Sequence, residues 1–224
     1  LYAYANVIEK ANLEILDICL DSYAIGEEAA LFEQAVGNYI VLIDLERQTT
    51  TLSLFSHGKL LNSEVLYEGY GEWLTPLTNM TGLKSEVCVR LLSENAVLKE
   101  KDYPDVPVFL WASGNQERTL SLKQLHEAVK DASKKWLELM KNACQPMMEN
   151  GKCQVILSGE GCEISGMDEV ISQIDEKAMI YVPQTIGGRD CALTCTLGMF
   201  YAWKEINMIR NNRLLAADER LIDE

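Results

Sequence analysis

Two strand-then-turn segments hold the residues best suited to chemistry. In the first, an apolar run from Ile40 to Ile43 ends on Asp44; Glu46-Arg47-Gln48, a threonine cluster (Thr49, Thr50, Thr51) and a second run closing at His57-Gly58 follow. In the second, Val155 to Leu157 lead into Gly159-Glu160-Gly161. A carboxylate at a strand end, hydroxyls and a glycine turn are the parts of a phosphate and metal cradle, where backbone must approach oxygen closely and adopt positive φ. Asp44 reads equally as a cleft carboxylate or as an aspartate capping its own turn. Glu46, Arg47 and Gln48 are bulky, and one is anionic, so the first turn is a poor cradle for a polyphosphate. Glu160 sets a carboxylate in the second turn where a small residue is expected.

These residues need elements to position them. The first segment reads as a β-hairpin, continued by a strand over Leu60–Leu66. Val155–Leu157 is a short apolar run before a glycine turn and a helix, the order of a strand whose C-terminal end faces a ligand cleft or serves packing alone. Helices are expected over Gly166–Ile174 and Cys191–Ile209. At the N-terminus, Ala5, Ile8 and Ala11 suggest a helix, followed by a strand over Glu14–Cys19. Between the two segments the reading is a helix from Thr75, another over Lys84–Ala96, a polar loop with Pro104 and Pro107, and a strand over Val108–Ala112. Then Leu122, Leu125, Val129, Ala132, Trp136, Leu139 and Ala143 alternate steps of three and four. That is a long amphipathic helix with Ser121 as its N-cap. Its outer face carries Lys123, Lys130, Lys134 and Lys141, laced with Glu127, Asp131 and Glu138.

Composition bounds the function. The chain has 224 residues and a formal net charge of -14. It is long enough to bury roughly 70% of its unfolded surface. The charge argues against a general nucleic-acid surface, which needs clustered lysine and arginine. No apolar run approaches the ~20 residues that span a bilayer, and no signal sequence is visible at Leu1. The seven cysteines are an odd number with no Cys-x-x-Cys pair, and only His57 and His126 could assist them. Packing thiols in a reducing, cytoplasmic compartment are the expectation, with no zinc site. Residues 68–152 hold 11 basic and 12 acidic residues, while the rest holds 9 basic and 22 acidic. A nearly neutral insert in an acidic host suggests two surfaces with different partners.

The ordered set of segments resembles the second half of FtsA, the actin-like bacterial division protein. The resemblance starts at NVIEKANLEILDICLDSYAIGEEAAL, runs through the IVLID hairpin, and continues at GYGEWLTPLTNMTGLKSEVCVRLL, where Gly71 and Thr75 match the family's GGxxIT turn. VILSGEGCEISGMDEV is similar to its LTGGGAxxxGxxE stretch, and YVPQTIGGRDCALTCTLGMFYAW to its closing segment. Nearly the whole chain is covered, apart from Val97–Glu117. Departures fall on the nucleotide loops. Glu46 replaces the DxGxxT-like glycine, and Leu77 stands where an acidic residue usually follows the GGxxIT turn. In the AExxK-like helix Glu86 is kept, but Val89 holds the lysine position and Arg90 lies one residue on, pointing elsewhere.

The resemblance implies an α/β fold: an actin-like, ribonuclease H-like lobe (30–67 with 153–224), an inserted smaller α+β subdomain (68–152), and a remnant of the other lobe (1–29). It implies ATP and Mg2+ as ligands of a weak or lost site near Asp44, Thr49, Thr50, Gly71, Glu86, Gly159 and Gly161. Glu86 would approach a ribose or pair with Lys84 or Arg90. ATP hydrolysis needs loops from both lobes, so this chain alone is not expected to perform it. The implied partner is the C-terminal tail of FtsZ, received by the insert with Lys130, Lys134 and Lys141 meeting its acidic groups; self-association is a further expectation. The family's anchor is a basic amphipathic helix, whereas the closing NNRLLAADERLIDE is acidic and is expected to be repelled by anionic lipid. A nucleotide-responsive actin-like ATPase is the alternative. For a sugar kinase or reactivase chaperone, no phosphoacceptor base or sugar-binding pattern is found.

Overall fold

The computed structural model describes residues 2–30, 39–149, 153–183 and 187–209. The acidic closing stretch from residue 211 lies outside the described residues. A five-stranded mixed sheet forms the centre, in the order β3-β2-β1-β6-β7. Its strands are β1 (Tyr39–Leu45), β2 (Thr50–Ser56), β3 (Lys59–Leu66), β6 (Cys153–Ser158) and β7 (Met179–Ile180). The first three make an antiparallel meander, while β6 runs parallel to β1 and β7 parallel to β6. β1 lies mid-sheet and is buried on both faces, which explains its nearly unbroken apolar run.

Alternation along β1 sorts the core into two layers. Val41, Ile43 and Leu45 point to the face covered by α3 (Gly71–Thr81), α4 (Ser85–Glu94), α5 (Leu122–Met148) and α6 (Met167–Ile171). Ile40 and Leu42 point to the other face, joined by Phe55, Ile156, and Ile25 and Ala29 of α2 (Asp21–Ala30). Helix α7 (Thr194–Ile209) packs on α2 so closely that a Cβ on Gly198 would strike the Ala24 carbonyl. Two carboxylates are buried with α2: Glu28 accepts from the Tyr181 hydroxyl at 2.9 Å, and Glu27 is pushed up to about 7 by burial and then by Glu205.

Helix α5 forms where its spacing predicts. Ser121 caps it in a reciprocal box: its hydroxyl accepts from the Gln124 amide at 3.3 Å, and the Gln124 side chain accepts from the Ser121 amide at 3.0 Å. Its apolar face lies on the sheet. Trp136 donates from Nε1 to Thr50 Oγ1 at 2.9 Å and meets Trp73 of α3 edge-on, centroids 5.7 Å apart. The core is therefore continuous from β1 through α3 to α5.

Four elements differ from expectation. Glu14–Cys19 is irregular chain rather than a strand, and the regular structure there is α2. Its DSYAIGEEAA buries two glutamates with Ala24 and Ala29, so the polar residues blur the helical pattern. The helix expected from Thr75 starts earlier, at Gly71. A strand β5 (Gln116–Ser121) pairs antiparallel with β4 (Pro107–Ser113) across a turn at Gly114. QERTLS is polar because only its last two residues are buried. Finally α6 is one short turn, ending before Ile174. The N-terminal α1 (Tyr2–Lys10) buries no residue and borders an apolar groove of 490 Å³ against Met199, Phe200 and Trp203 of α7.

Candidate functional site

The C-terminal ends of the parallel neighbours β1 and β6 bring Asp44 and Ser158 into register. Asp44 is 9% exposed and Ser158 fully buried, yet Asp44 Oδ1 and Ser158 Oγ have no hydrogen-bond partner among the described residues. Burial pushes the Asp44 carboxyl up to about 7, with Glu46 and then Asp21 adding to the rise. Gly159 follows at φ 92, where a Cβ would lie 2.6 Å from the Leu45 carbonyl and 2.8 Å from Asp44 Oδ1. A Cβ on Gly161 would enter the Leu45 side chain. Both glycines are thus required by close approach of β1, a demand legible in the G-E-G spacing.

The β1–β2 turn docks on the start of α3. The amides of Tyr70 and Gly71 donate to the carbonyls of Glu46 and Arg47 at 3.1 and 2.8 Å. A Cβ on Gly71 would sit 2.5 Å from the Arg47 carbonyl oxygen. Tyr70 is 4% exposed and donates its hydroxyl to Glu160 Oε2 at 2.7 Å. Glu46 accepts from the Glu160 amide at 3.4 Å, and its own carboxyl is raised, by burial first and Glu160 second. Nearby, the buried Cys191 donates its thiol to the Tyr181 carbonyl at 3.8 Å.

Of the residues singled out in the sequence, Asp44, Gly71, Gly159 and Gly161 surround this one cleft, joined by Thr49, whose carbonyl closes the turn to the Glu46 amide. Thr50 has its hydroxyl committed elsewhere: it donates to the Glu68 carbonyl at 2.5 Å and accepts from Trp136. Glu86 lies on the exposed side of α4, by a groove with Phe109 and Leu91. Arg90 pairs with Glu94 at 3.0 Å rather than with Glu86, both being exposed at one helical turn's spacing. Lys130, Lys134 and Lys141 form a stripe on α5, because steps of four and seven return to nearly the same helical angle. Lys134 is already paired with Glu100, and Lys123 with Glu127. Sequence reasoning missed Asp21, Tyr70 and Ser158. Flanking glycines mark Tyr70 as a site of close backbone approach, whereas nothing local marks Asp21.

Three carboxylates, the Tyr70 phenol and two buried orphan oxygens thus gather at this end of the sheet. A polyphosphate does not fit this constellation unaided: Glu46 and Glu160 repel it, and the Tyr70 and Gly71 amides that would serve it are committed to carbonyls. No group of Cys, His, Asp and Glu suited to holding a metal ion occurs among the described residues. His57 sits in the β2–β3 turn, and His126 bonds through Nδ1 to the Val97 carbonyl at 2.7 Å.

No family profile and no curated protein matches the chain in sequence. Solved structures match in fold. MreB5 of Spiroplasma citri bound to ADP superposes with a TM-score of 0.68 at 16% identity, covering 95% of this chain and 67% of that one. An archaeal actin homologue follows at 0.56 and 13%, covering 81% and 54%. The fold is actin-like. A PilM–PilN type IV pilus biogenesis complex shares this actin-like fold, with a TM-score of 0.61 at 11% identity over 87% of this chain and 55% of that one. The actin-like chain described here spans from about half to two thirds of these structures. MreB5 has also been crystallised with AMPPNP. No helix among the described residues is long and apolar enough to cross a membrane.

The tightest feature of the cleft is testable directly. Gly159→Ala must hold alanine at φ 92 against the Leu45 carbonyl, so a loss of roughly 2–4 kcal/mol is expected. Gly114→Ala, at φ 62 with open space around it, is expected to lose only about 1 kcal/mol. Urea denaturation of both variants checks the contrast, and equal losses would show that the cleft yields freely.

Proposed function

We propose that this chain is an FtsA-like, actin-fold scaffold of bacterial cell division, which binds the FtsZ C-terminal tail through residues 68–152 and performs no catalysis of its own. The observation that carries the reading is the acid-lined cleft closed by Tyr70 on Glu160, a nucleotide site turned to packing. Support for the partner comes from the ordered sequence resemblance and from the lysine stripe of α5, half-buried at Lys130 and Lys134 and exposed at Lys141, on an insert far less acidic than its host. A PilM–PilN complex offers a precedent for partner binding on this fold. The scaffold acts in the cytoplasm, at the inner face of the membrane where another segment anchors it, and self-association is part of the same reading.

The test is titration of the chain with an FtsZ tail peptide from the same organism, by fluorescence anisotropy at two salt concentrations. Saturable binding weakened by salt is the expected result, since acidic groups meet lysines. No binding at hundreds of micromolar removes the reading. The orphan oxygens of Asp44 and Ser158 favour the second reading, a nucleotide-responsive ATPase whose other lobe supplies most phosphate contacts. Under that reading Mg2+ and ATP would stabilise the complete two-lobed protein, and Asp44→Ala would abolish the effect.

A further inference from the structure

Between the α3–α4 turn and the β4–β5 hairpin lies an open cavity of 460 Å³. Its lining includes two cations, Lys84 and Arg118, and no acid, on a chain whose net charge is -14. Lys84 and Arg118 are exposed and form no ion pair among the described residues, whereas Arg90, Lys99, Lys123, Lys134 and Lys135 are each matched to a glutamate. Trp111 forms an apolar wall. It is half-buried, stacks on Phe109 with centroids 6.0 Å apart, and stands opposite Arg118 in the hairpin register. Among the described residues strand β4 pairs with β5 alone, which leaves its other edge without a strand partner there.

The geometry points to this cavity as the seat of an extended acidic peptide, its carboxylates meeting Lys84 and Arg118 and an apolar side chain resting on Trp111. Charge selects the occupant. A peptide with acidic groups finds here two unneutralised cations and an aromatic wall in one cavity, whereas on α5 Lys134 and Lys123 are matched to Glu100 and Glu127, which leaves Lys130 and Lys141 as its open cations. A long polyanion is repelled by the remaining acidic surface. The hairpin edge suits an extended chain, and a flat aromatic beside two cations is the usual make-up of an anchor pocket. This inference rests on the partner reading above and relocates its contact within the same insert.

The experiment compares two charge reversals against the same tail peptide in the 224-residue chain. Lys84→Glu with Arg118→Glu is expected to weaken binding by about tenfold or more, and Lys130→Glu with Lys141→Glu by less than about threefold. Unchanged melting temperatures establish that all chains are folded, and Lys84→Ala with Arg118→Ala replaces the first pair if reversal unfolds it. A tail that binds wild type but is insensitive to the Lys84 and Arg118 changes overturns the seat and leaves the partner reading standing. A tail that fails to bind wild type overturns both.

Discussion

Asp44→Asn is expected to make the protein more stable, by roughly 2–4 kcal/mol above about pH 8, and to leave stability unchanged below about pH 3. The carboxyl is 9% exposed, has an oxygen with no partner among the described residues, and is raised from 3.8 to about 7 by burial, then Glu46, then Asp21. Below the unfolded value both states hold the proton, and no penalty exists. As pH rises from 3.8 towards 7 the unfolded chain releases the proton while the folded chain keeps it, so folding loses stability. Above about 7 the penalty is complete and constant, on the order of 4 kcal/mol for a difference of that size. Asparagine cannot ionise and escapes it. Glu27 and Glu46 are also raised and bend the pH profile of both proteins, so the difference between variant and wild type is the informative quantity. Urea denaturation across this range measures it. A pH-independent difference would mean that Asp44 ionises freely in the fold, as a solvated turn cap does.

Trp136→Ala carries the other large effect, an expected loss of about 3–5 kcal/mol, a large part of the ~5–15 kcal/mol of a typical domain. Trp136 is 3% exposed and performs three tasks at once. It fills the layer between α5 and the sheet, meets Trp73 at 74° with centroids 5.7 Å apart, and donates to Thr50 Oγ1. Thr50 in turn bonds the Glu68 carbonyl, so the indole also steadies the exit from β3 towards Tyr70 and the cleft. Removing the ring leaves a cavity that helix and sheet cannot both collapse into. Trp136→Phe keeps most of the volume but abandons the donor, and about 1–2 kcal/mol is expected to be lost. Denaturant midpoints at unchanged slope check both figures. A loss below about 1 kcal/mol for the alanine variant would mean that α5 is not anchored on the sheet through this residue.

These two residues mark how much of the architecture is readable along the chain. Asp44 announces itself through local order, an apolar run ending on a carboxylate before a threonine-rich turn, and β1 and β2 form there. Trp136 announces only that it faces a core; which strand it reaches is invisible, because its partner Thr50 is 86 residues away. Tyr70 and Glu160 are 90 residues apart and meet only when the turns after β1 and β6 share one end of the sheet. The resemblance to FtsA implied an actin-like fold, but not the hydrogen bond by which Tyr70 joins Glu160 across the two turns. Asp21 was missed for a related reason: it opens a helix whose buried glutamates hide the amphipathic pattern.

What the sequence by itself determined is therefore local and periodic. The meander of β1, β2 and β3 follows from apolar runs bounded by turn residues, and α5 follows from heptad-like spacing behind the Ser121 cap, since such signals need only neighbouring residues. The tertiary structure alone decided which side chains share a cleft, which cations remain unpaired, and how far Asp44 is driven towards neutrality. Desolvation and charge coupling depend on what packs within a few ångströms, and the segments that pack there come from distant parts of the chain.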